Sequence, residues 1–191
     1  YKVYGNGDVV VDNAFNPKKA APELPRFGMQ TALPAAYNRM TWNGRGPQEN
    51  YWDRHTGAAV GVYSLAVEDL VHPYIEPQET GNRTEVRWVA LTNADGAGLM
   101  AVGMPLLNAS AWPFSMADLE ENGHDCMVPR RDFNTFNLDL GQTGVGGDDS
   151  WGAKPLEKYT MKCQPYQYRF RLTPLRGGEA SLPEIAKRVL D

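Results

Sequence analysis

The sequence contains little of what identifies several large classes of protein. Only two of its 191 residues are cysteine, so it cannot be a disulfide scaffold. No stretch approaches the roughly 18 consecutive apolar residues that a membrane-spanning helix needs. The formal net charge is −4, so no overall attraction to nucleic acid or to an anionic membrane is expected. With these classes excluded, the sequence is expected to form an acidic globular domain.

A starting methionine and a leader segment are also missing. The chain opens at Tyr1 and goes directly into strand-like sequence. We therefore expect a piece of a longer protein, with any targeting signal lying elsewhere. The compartment, cytoplasmic or periplasmic, is left open by these residues.

The composition is that of one folded domain. Hydrophobic residues make up 42% and charged residues 22% of the chain, and 191 residues lie within the roughly 100–200 residues typical of a domain. We expect one domain over residues 1–175 and a C-terminal tail over 176–191. Gly177 and Gly178 separate the two, and Ser181 with Pro183 in the first turn predicts a helix over residues 181–190.

Alternating apolar residues and frequent turn signals predict an antiparallel all-β sandwich. Asn6-Gly7 predicts a hairpin at the start of the chain, and Gln164-Pro165 predicts a last hairpin between residues 158–163 and 166–172. In residues 84–92, alternation places Val86, Trp88 and Ala90 on one face. Further strands are expected over residues 1–4, 9–11, 24–30, 99–104 and 133–140.

Helical signals are few. Ser115 is a suitable N-cap for a short helix over residues 116–121, which carry early acidic residues and are followed by Gly123. With the tail helix, this makes one or two short helices in an otherwise all-β fold.

The glycine-rich stretch over residues 144–152 is the most unusual in the chain. It does not fit a dinucleotide-binding loop, because Asp149 stands where the final glycine belongs, and it lacks the lysine of a phosphate-binding P-loop. Ser150 does not lie in a nucleophile elbow. Asp148 and Asp149 are adjacent, so on extended backbone their side chains point apart and do not form one site. Trp151, on a polar loop, is suited to stacking on the apolar face of a sugar.

A second unusual stretch, residues 42–54, mixes aromatic rings with carboxylates, an amide and a guanidinium. Such a mixture suits a sugar-binding site, and it equally suits a rigid, hydrogen-bonded structural loop. The sequence favours neither interpretation. The residues concerned are Gly46, Pro47, Glu49, Asn50, Tyr51, Asp53 and Arg54.

Three motifs in order carry a family resemblance. The first motif is residues 44–54 (GRGPQENYWDR), the second is 73–83 (PYIEPQETGNR) and the third is 144–151 (GVGGDDSW). Together they resemble the C-terminal domain of the large β-galactosidases of glycoside hydrolase family 2, over about residues 1–172. The resemblance implies an antiparallel β-supersandwich similar to galactose mutarotases. It also implies a parent enzyme that hydrolyses terminal β-galactosides such as lactose with retention of configuration.

The resemblance also implies how the work is divided within the parent enzyme. The catalytic glutamates and a magnesium site belong to a preceding (β/α)₈ barrel, so this chain is expected to hold no catalytic residue, no metal ligand and no cofactor, and to be inactive by itself. Its partners are then the barrel domain of the same protein and a galactoside, with no nucleic acid and no membrane, in an enzyme that forms a homo-oligomer.

Within the chain, the resemblance assigns a role to one residue above all. Trp151 matches the tryptophan that stacks on the substrate at the edge of the active site. The residues expected to shape its loop are Gly144, Gly146, Gly147, Asp148, Asp149 and Ser150. Gln142 stands where the family often has a histidine.

Two other functions compete with this one. The chain is equally sized for an autonomous carbohydrate-binding module, or for the separate small subunit of a two-chain β-galactosidase. An aldose-epimerase-like enzyme, suggested by fold analogy, needs histidine and glutamate in one concave sheet. The three histidines here, His55, His72 and His124, lie in no matching motif.

Overall fold

The computed structural model describes residues 1–19, 22–146, 152–178 and 181–190. Within these residues the chain forms nine β-strands, and every strand pairing is antiparallel. The strands are β1 (Lys2–Val3), β2 (Val9–Phe15), β3 (Arg26–Pro34), β4 (Arg39–Gly46), β5 (Ala59–Ala66), β6 (Arg83–Thr92), β7 (Ala97–Trp112), β8 (Phe133–Gln142) and β9 (Tyr166–Arg176).

The long strand β7 joins two branches of the sheet. Its first half pairs with β9, while residues Asn108–Trp112 pair with β8, which in turn pairs with β3. The main path of the sheet runs β1-β2-β9-β7-β6-β4-β5. The fold is an all-β sandwich, as the sequence predicts.

One large apolar cluster fills the sandwich and draws on both branches. Trp42 from β4, Leu91 from β6 and Phe136 from β8 are fully buried in it. The other buried members are Val11, Met40, Val67, Leu70, Val86, Val89, Ala101, Leu107, Ala109, Ala111, Leu138, Tyr168 and Phe170. Burial of this apolar surface is the main force that stabilises the fold.

The predicted opening hairpin is confirmed. Strands β1 and β2 pair antiparallel, and Gly7 takes the left-handed conformation with φ of +91° that the turn requires. The Asn6 side chain supports the turn by accepting a hydrogen bond from the Asp8 main-chain N–H at 3.0 Å.

The predicted last hairpin is wrong. Residues 158–163 do not form a strand: Glu157–Tyr159 is a turn of 3₁₀ helix, and Met161 makes one isolated bridge with Leu24. Strand β9 instead pairs with β2 on one side and β7 on the other. Because residues 169–172 of β9 are paired with β2 on one edge and with β7 on the other, they have no free edge for the segment before Gln164.

The predicted facing along β6 is also wrong at one position. Val86 packs in the main core with Val89, whereas Trp88 and Ala90 pack in a second cluster on the other face. The register of β6 against β7 shifts on both sides of Val86, and Glu85 has φ of +52°. These irregularities break the simple alternation that the sequence pattern assumes.

The helix predicted at residues 116–121 is confirmed as α1 (Met116–Glu121). The Ser115 hydroxyl accepts from the Asp118 main-chain N–H, and the Asp118 carboxylate accepts from Ser115, which forms a capping box. The chain leaves the helix at Asn122, which has extended backbone angles. No helix in the described part of the chain is long and apolar enough to span a bilayer.

The tail helix α2 (Leu182–Ala186) is shorter than the ten residues that the sequence indicates. It packs Ile185 against Trp88, Met100 and Leu175 on the outer face of the sheet. The buried Arg171 guanidinium holds this tail, donating to the main-chain carbonyls of Ile185 at 2.8 Å, Ala186 at 3.1 Å and Arg188 at 2.7 Å.

Candidate functional site

The carboxylate of Glu49 joins the first motif to the second. It accepts hydrogen bonds from the Gly81 main-chain N–H at 2.7 Å, from the Thr80 hydroxyl at 3.3 Å and from Arg54 at 2.7 Å. The Tyr74 hydroxyl donates to it as well. Every oxygen of this carboxylate is therefore engaged within the protein.

Asn50, the next residue, is a second junction and is almost fully buried. Its side-chain oxygen accepts from the Thr84 main-chain N–H at 2.9 Å and from the Thr84 hydroxyl at 2.6 Å. Its main chain exchanges two hydrogen bonds with Asn82, each of 2.8 Å. Since buried polar groups are costly unless they are hydrogen-bonded, this network specifies one path for the loop.

Arg83 anchors the start of the first motif. Its guanidinium donates to the carbonyls of Pro47 at 2.9 Å and Gly81 at 2.6 Å, and lies 5.0 Å from the ring centroid of Trp42. Burial lowers the pKa of Arg83 to about 10. The peptide bond between Gly46 and Pro47 is cis.

The end of the first motif is a tight turn with Trp52 at its tip. Two main-chain hydrogen bonds link Tyr51 and Arg54, at 3.1 and 2.7 Å. The Tyr51 ring is buried, which raises the pKa of its hydroxyl. Trp52 remains partly exposed, and its ring meets the ring of Tyr159 at a centroid distance of 6.1 Å.

Asp53 joins the first motif to the third. One oxygen of its carboxylate accepts from the Gly146 main-chain N–H at 2.8 Å. A Cβ atom on Gly144 would lie 2.4 Å from that same carboxylate, so only glycine fits there. The Gly144 main-chain N–H also donates to the Tyr159 carbonyl at 2.7 Å. The glycine-rich segment is thus held at its start by Asp53 and Tyr159.

A buried ionic cluster lies beneath the point where the motifs meet. Arg26 of β3 contacts the carboxylate of Asp139 on β8 and, at 3.1 Å, the carboxylate of Glu79 in the second motif. Its guanidinium also lies 5.6 Å from the ring centroid of Trp112. One cation therefore serves two carboxylates.

Burial shifts the pKa values of both acids in the same direction. Burial raises the pKa of Glu79 to about 7 and the pKa of Asp139 to about 6, against the attraction of Arg26. Only one negative charge is compensated at a time, since a single guanidinium cannot neutralise two carboxylates in a poorly solvated site. With these pKa values, Glu79 and Asp139 begin to take up protons already at neutral to mildly acidic pH.

We expect this cluster to make stability depend on pH. The pKa of Glu79 is raised on folding from 4.5 to about 7, so its favourable contribution is complete below about pH 4.5 and is lost as the pH rises through about 7. The unfolding free energy should fall by about 1–3 kcal/mol across that interval. Urea unfolding at a series of pH values measures this directly.

The matched control compares two glutamates of the second motif. Glu79→Gln should flatten the decline, because the amide does not titrate, whereas substitution of the exposed Glu76 by Gln should leave the decline unchanged. Equal slopes for wild type and Glu79→Gln would contradict the assignment.

A cleft of about 940 Å³ opens beside the anchored start of the third motif. It is bordered by the Trp52 turn, the starts of β6 and β9, the end of β8 and the segment around Tyr159 and Met161.

Residues 1–172 match the family model described as β-galactosidase small chain. The chain belongs to this family. The match includes all three motifs and strands β1 to β8, and it ends within β9, before the tail.

Curated relatives of this small-chain domain are named β-galactosidases. The chain is 41% identical over 176 residues to the β-galactosidase of Priestia megaterium. This match covers 92% of the chain and 17% of the relative. The chain is 37% identical over 168 residues to that of Halalkalibacterium halodurans, covering 85% of this chain and 16% of the relative. For Lactobacillus delbrueckii subsp. bulgaricus, the identity is 37% over 176 residues, covering 92% and 17%. The chain therefore spans about a sixth of the length of these relatives.

The sequence-predicted site residues divide into two groups. The structure brings together Gly46, Pro47, Glu49, Asn50, Tyr51, Asp53 and Arg54 with Gly144 and Gly146 of the third motif. Trp151 lies outside the described residues, as do Gly147, Asp148, Asp149 and Ser150. Their predicted roles in the small-chain domain remain predictions.

Sequence reasoning missed Arg26, Asp139 and Tyr159. Arg26 stands alone between Pro25 and Phe27 and belongs to no motif, and Asp139 occurs within an alternating strand where a polar residue suggests exposure. The available signal was that Asn134, Asn137 and Asp139 all carry polar groups on a strand that also holds Phe133, Phe136, Leu138 and Leu140; all three prove to be buried and hydrogen-bonded. Within the described residues, no group of three or more His, Cys, Asp or Glu side chains is arranged to hold a metal ion.

Proposed function

We propose that this chain is the small-chain domain of a retaining β-galactosidase of glycoside hydrolase family 2, and that it completes the edge of an active site built elsewhere in the protein. The observation that carries the proposal is the hydrogen bond from the Gly146 main-chain N–H to Asp53 at 2.8 Å. It ties Gly146, five positions before Trp151 in the sequence, to the turn that ends the first motif. A loop held at a rigid base presents an aromatic ring to a partner surface with little loss of entropy on binding.

The hydrogen bonds and ion pairs of the carboxylates support a non-catalytic role for the chain. A retaining glycosidase needs two carboxyl groups about 5–5.5 Å apart on either side of the sugar. Glu49 accepts five hydrogen bonds from neighbouring protein groups, and Glu79 and Asp139 are tied to Arg26. Carboxylates so engaged are unsuited to attack a sugar. We place the catalytic glutamates, and any magnesium ion, in the remaining part of the protein.

The proposed partners follow from this division. The catalytic barrel of the same protein would contact the face that carries the third motif, and the substrate would be a terminal β-D-galactoside such as lactose. Trp151 would stack on the part of the substrate that leaves. The enzyme as a whole would be a homo-oligomer.

We expect Trp151→Ala, made in the full-length protein, to raise KM for lactose about 5- to 10-fold. Loss of one ring-stacking contact costs about 1–1.5 kcal/mol, and about 1.4 kcal/mol is a tenfold change in affinity. Steady-state kinetics with lactose measures it. Trp151→Phe is the matched control, since it keeps an aromatic face and should retain most of the affinity.

Two results would contradict the proposal. Unchanged KM and kcat for lactose in Trp151→Ala would remove the stacking role. Hydrolysis of a nitrophenyl β-galactoside by the purified 191-residue chain would show that the catalytic groups lie within it.

A further inference from the structure

We propose that the cleft beside Trp52 is a binding site for a neutral pyranose-containing saccharide, distinct from the contact proposed for Trp151. The existence of the site is argued from the residues that line the cleft. The choice of a galactoside among pyranosides rests on the proposed function. Its volume of about 940 Å³ lies within the roughly 300–1,000 Å³ typical of small-molecule sites.

The cleft has a fixed aromatic surface. Trp52 is 37% exposed and lines it. The residues on each side of Trp52 are held, Tyr51 and Arg54 by their paired main-chain hydrogen bonds and Asp53 by its bond to Gly146. The Tyr159 ring supports the indole edge-on. An indole that is partly exposed and held in place in this way can stack on the apolar face of a sugar ring without being reorganised.

Polar groups able to bind sugar hydroxyls lie on the same cleft. The Glu85 carboxylate is oriented by Arg45, whose Nε atom lies at 2.7 Å, and Glu85 has a φ of +52°, which is unfavourable for a residue with a side chain. Backbone strain of this kind is commonly found at ligand sites. It aims a carboxylate into the cleft instead of continuing the alternation of β6.

His55 supplies an unsatisfied group. Its Nδ1 atom is buried and has no hydrogen-bond partner among the described residues, and the nearest carboxylate oxygen, on Glu85, is 3.9 Å away. The Glu85 side chain is 32% exposed and lines the cleft, so a sugar hydroxyl can hydrogen-bond to it, whereas the buried Nδ1 atom is not directly accessible. Side-chain amides of Asn108 and Gln142 line the same cleft and offer both donors and acceptors.

The charge of the lining selects the ligand class. Two acidic residues, Glu85 and Glu157, are balanced by Lys158 and Lys162, and Lys162 is already paired with Glu157 at 2.6 Å. The formal charges of the lining residues therefore sum to zero, which gives the cleft no net attraction for a phosphate or a carboxylate. Aromatic stacking combined with neutral amides and an oriented carboxylate suits an uncharged sugar.

The test titrates the 191-residue chain with lactose, galactose, glucose and, as a non-sugar polyol, glycerol. We expect saturable shifts of the Trp52 indole N–H and of the Thr84 and Gln142 amide resonances with lactose and galactose. Glycerol should give none. A response to lactose but not to galactose would mean that the glucose part occupies the site.

Three variants locate the site. Trp52→Ala and Glu85→Gln should each weaken lactose binding at least about 5-fold, the loss of one stacking or charged hydrogen-bond contact, while Glu76→Gln, at an exposed position outside the cleft, should leave it unchanged. Glu85→Gln keeps the shape of the side chain, so it remains informative if Trp52→Ala unfolds. Absence of shifts with every saccharide, or full lactose binding kept in both Trp52→Ala and Glu85→Gln, would overturn the proposal. The second result would leave the proposed role of Trp151 intact.

Discussion

Replacement of Arg26 by methionine should lower the unfolding free energy of the chain by about 3–5 kcal/mol at neutral pH. The substitution leaves the carboxylates of Asp139 and Glu79 next to each other without their cation, and the Asp139 side chain is only 3% exposed. A methionine side chain fills most of the space over the Trp112 ring, so the loss is mainly electrostatic.

The pH dependence of this loss separates charge from packing. Burial already raises the pKa of both acids, and without Arg26 each would take up a proton still more readily. The destabilisation should therefore be much smaller at about pH 5 than at about pH 7.5. Urea unfolding followed by circular dichroism at the two pH values measures it. An equal loss at both would mean that the ionic cluster contributes little.

A surface arginine provides the matched control. Arg130 lies 5.6 Å from the ring centroid of Phe114, the same distance that separates Arg26 from Trp112. It pairs with Glu68, but both partners are about half exposed, at 47% and 59%. Arg130→Met should cost less than about 1 kcal/mol. Adding Glu79→Gln and Asp139→Asn to Arg26→Met should recover part of the lost stability.

Gly28→Ala should destabilise the chain by about 3 kcal/mol or more. A Cβ atom at this position would lie 1.7 Å from an oxygen of the Asp139 carboxylate and 2.7 Å from the Asp139 Cα. Rotation of the side chain relieves the first clash but breaks the contact with Arg26. The second clash is with backbone, so β3 must move away from β8 at the register shift beside Phe27.

Gly141→Ala is the control for this substitution. Gly141 lies on the partner strand β8, opposite Phe27, and no atom comes within 4 Å of a Cβ built there. The two variants add the same methyl group to neighbouring positions of one strand pair. Thermal unfolding should show a large drop in midpoint for Gly28→Ala and little change for Gly141→Ala. Similar midpoints would contradict the steric argument.

The β-rich fold was predictable because its signals are local. Residues 133–140 alternate in the chain and form β8, and Asn6-Gly7 supplies its own turn. The prediction failed where the partner of a strand lies far away. Strand β9 pairs with β2, which is more than 150 residues earlier, and nothing near Gln164 indicates that choice.

The candidate site shows the same limit. The first and third motifs stand out in the sequence by their unusual composition, and the capacity of Glu49 and Asn50 to form hydrogen bonds follows from residue type. The contact between Asp53 and Gly146 does not, because 93 residues separate them and only the folded sheet brings them together. Arg26 left no trace in the sequence, since an isolated arginine is more often exposed than buried.

The hold of Arg171 on the tail has a consequence for how that tail can change during evolution. All three of its hydrogen bonds are made to main-chain oxygens, at Ile185, Ala186 and Arg188. Because these acceptors belong to the main chain, the hydrogen bonds depend on the path of the backbone and not on which side chains it carries. Tail positions outside this packing are thereby free to vary, whereas Leu182, Ile185 and Ala186 are constrained because they pack on the cluster around Trp88. The tail is thus specified by the path of its backbone and by a few apolar side chains.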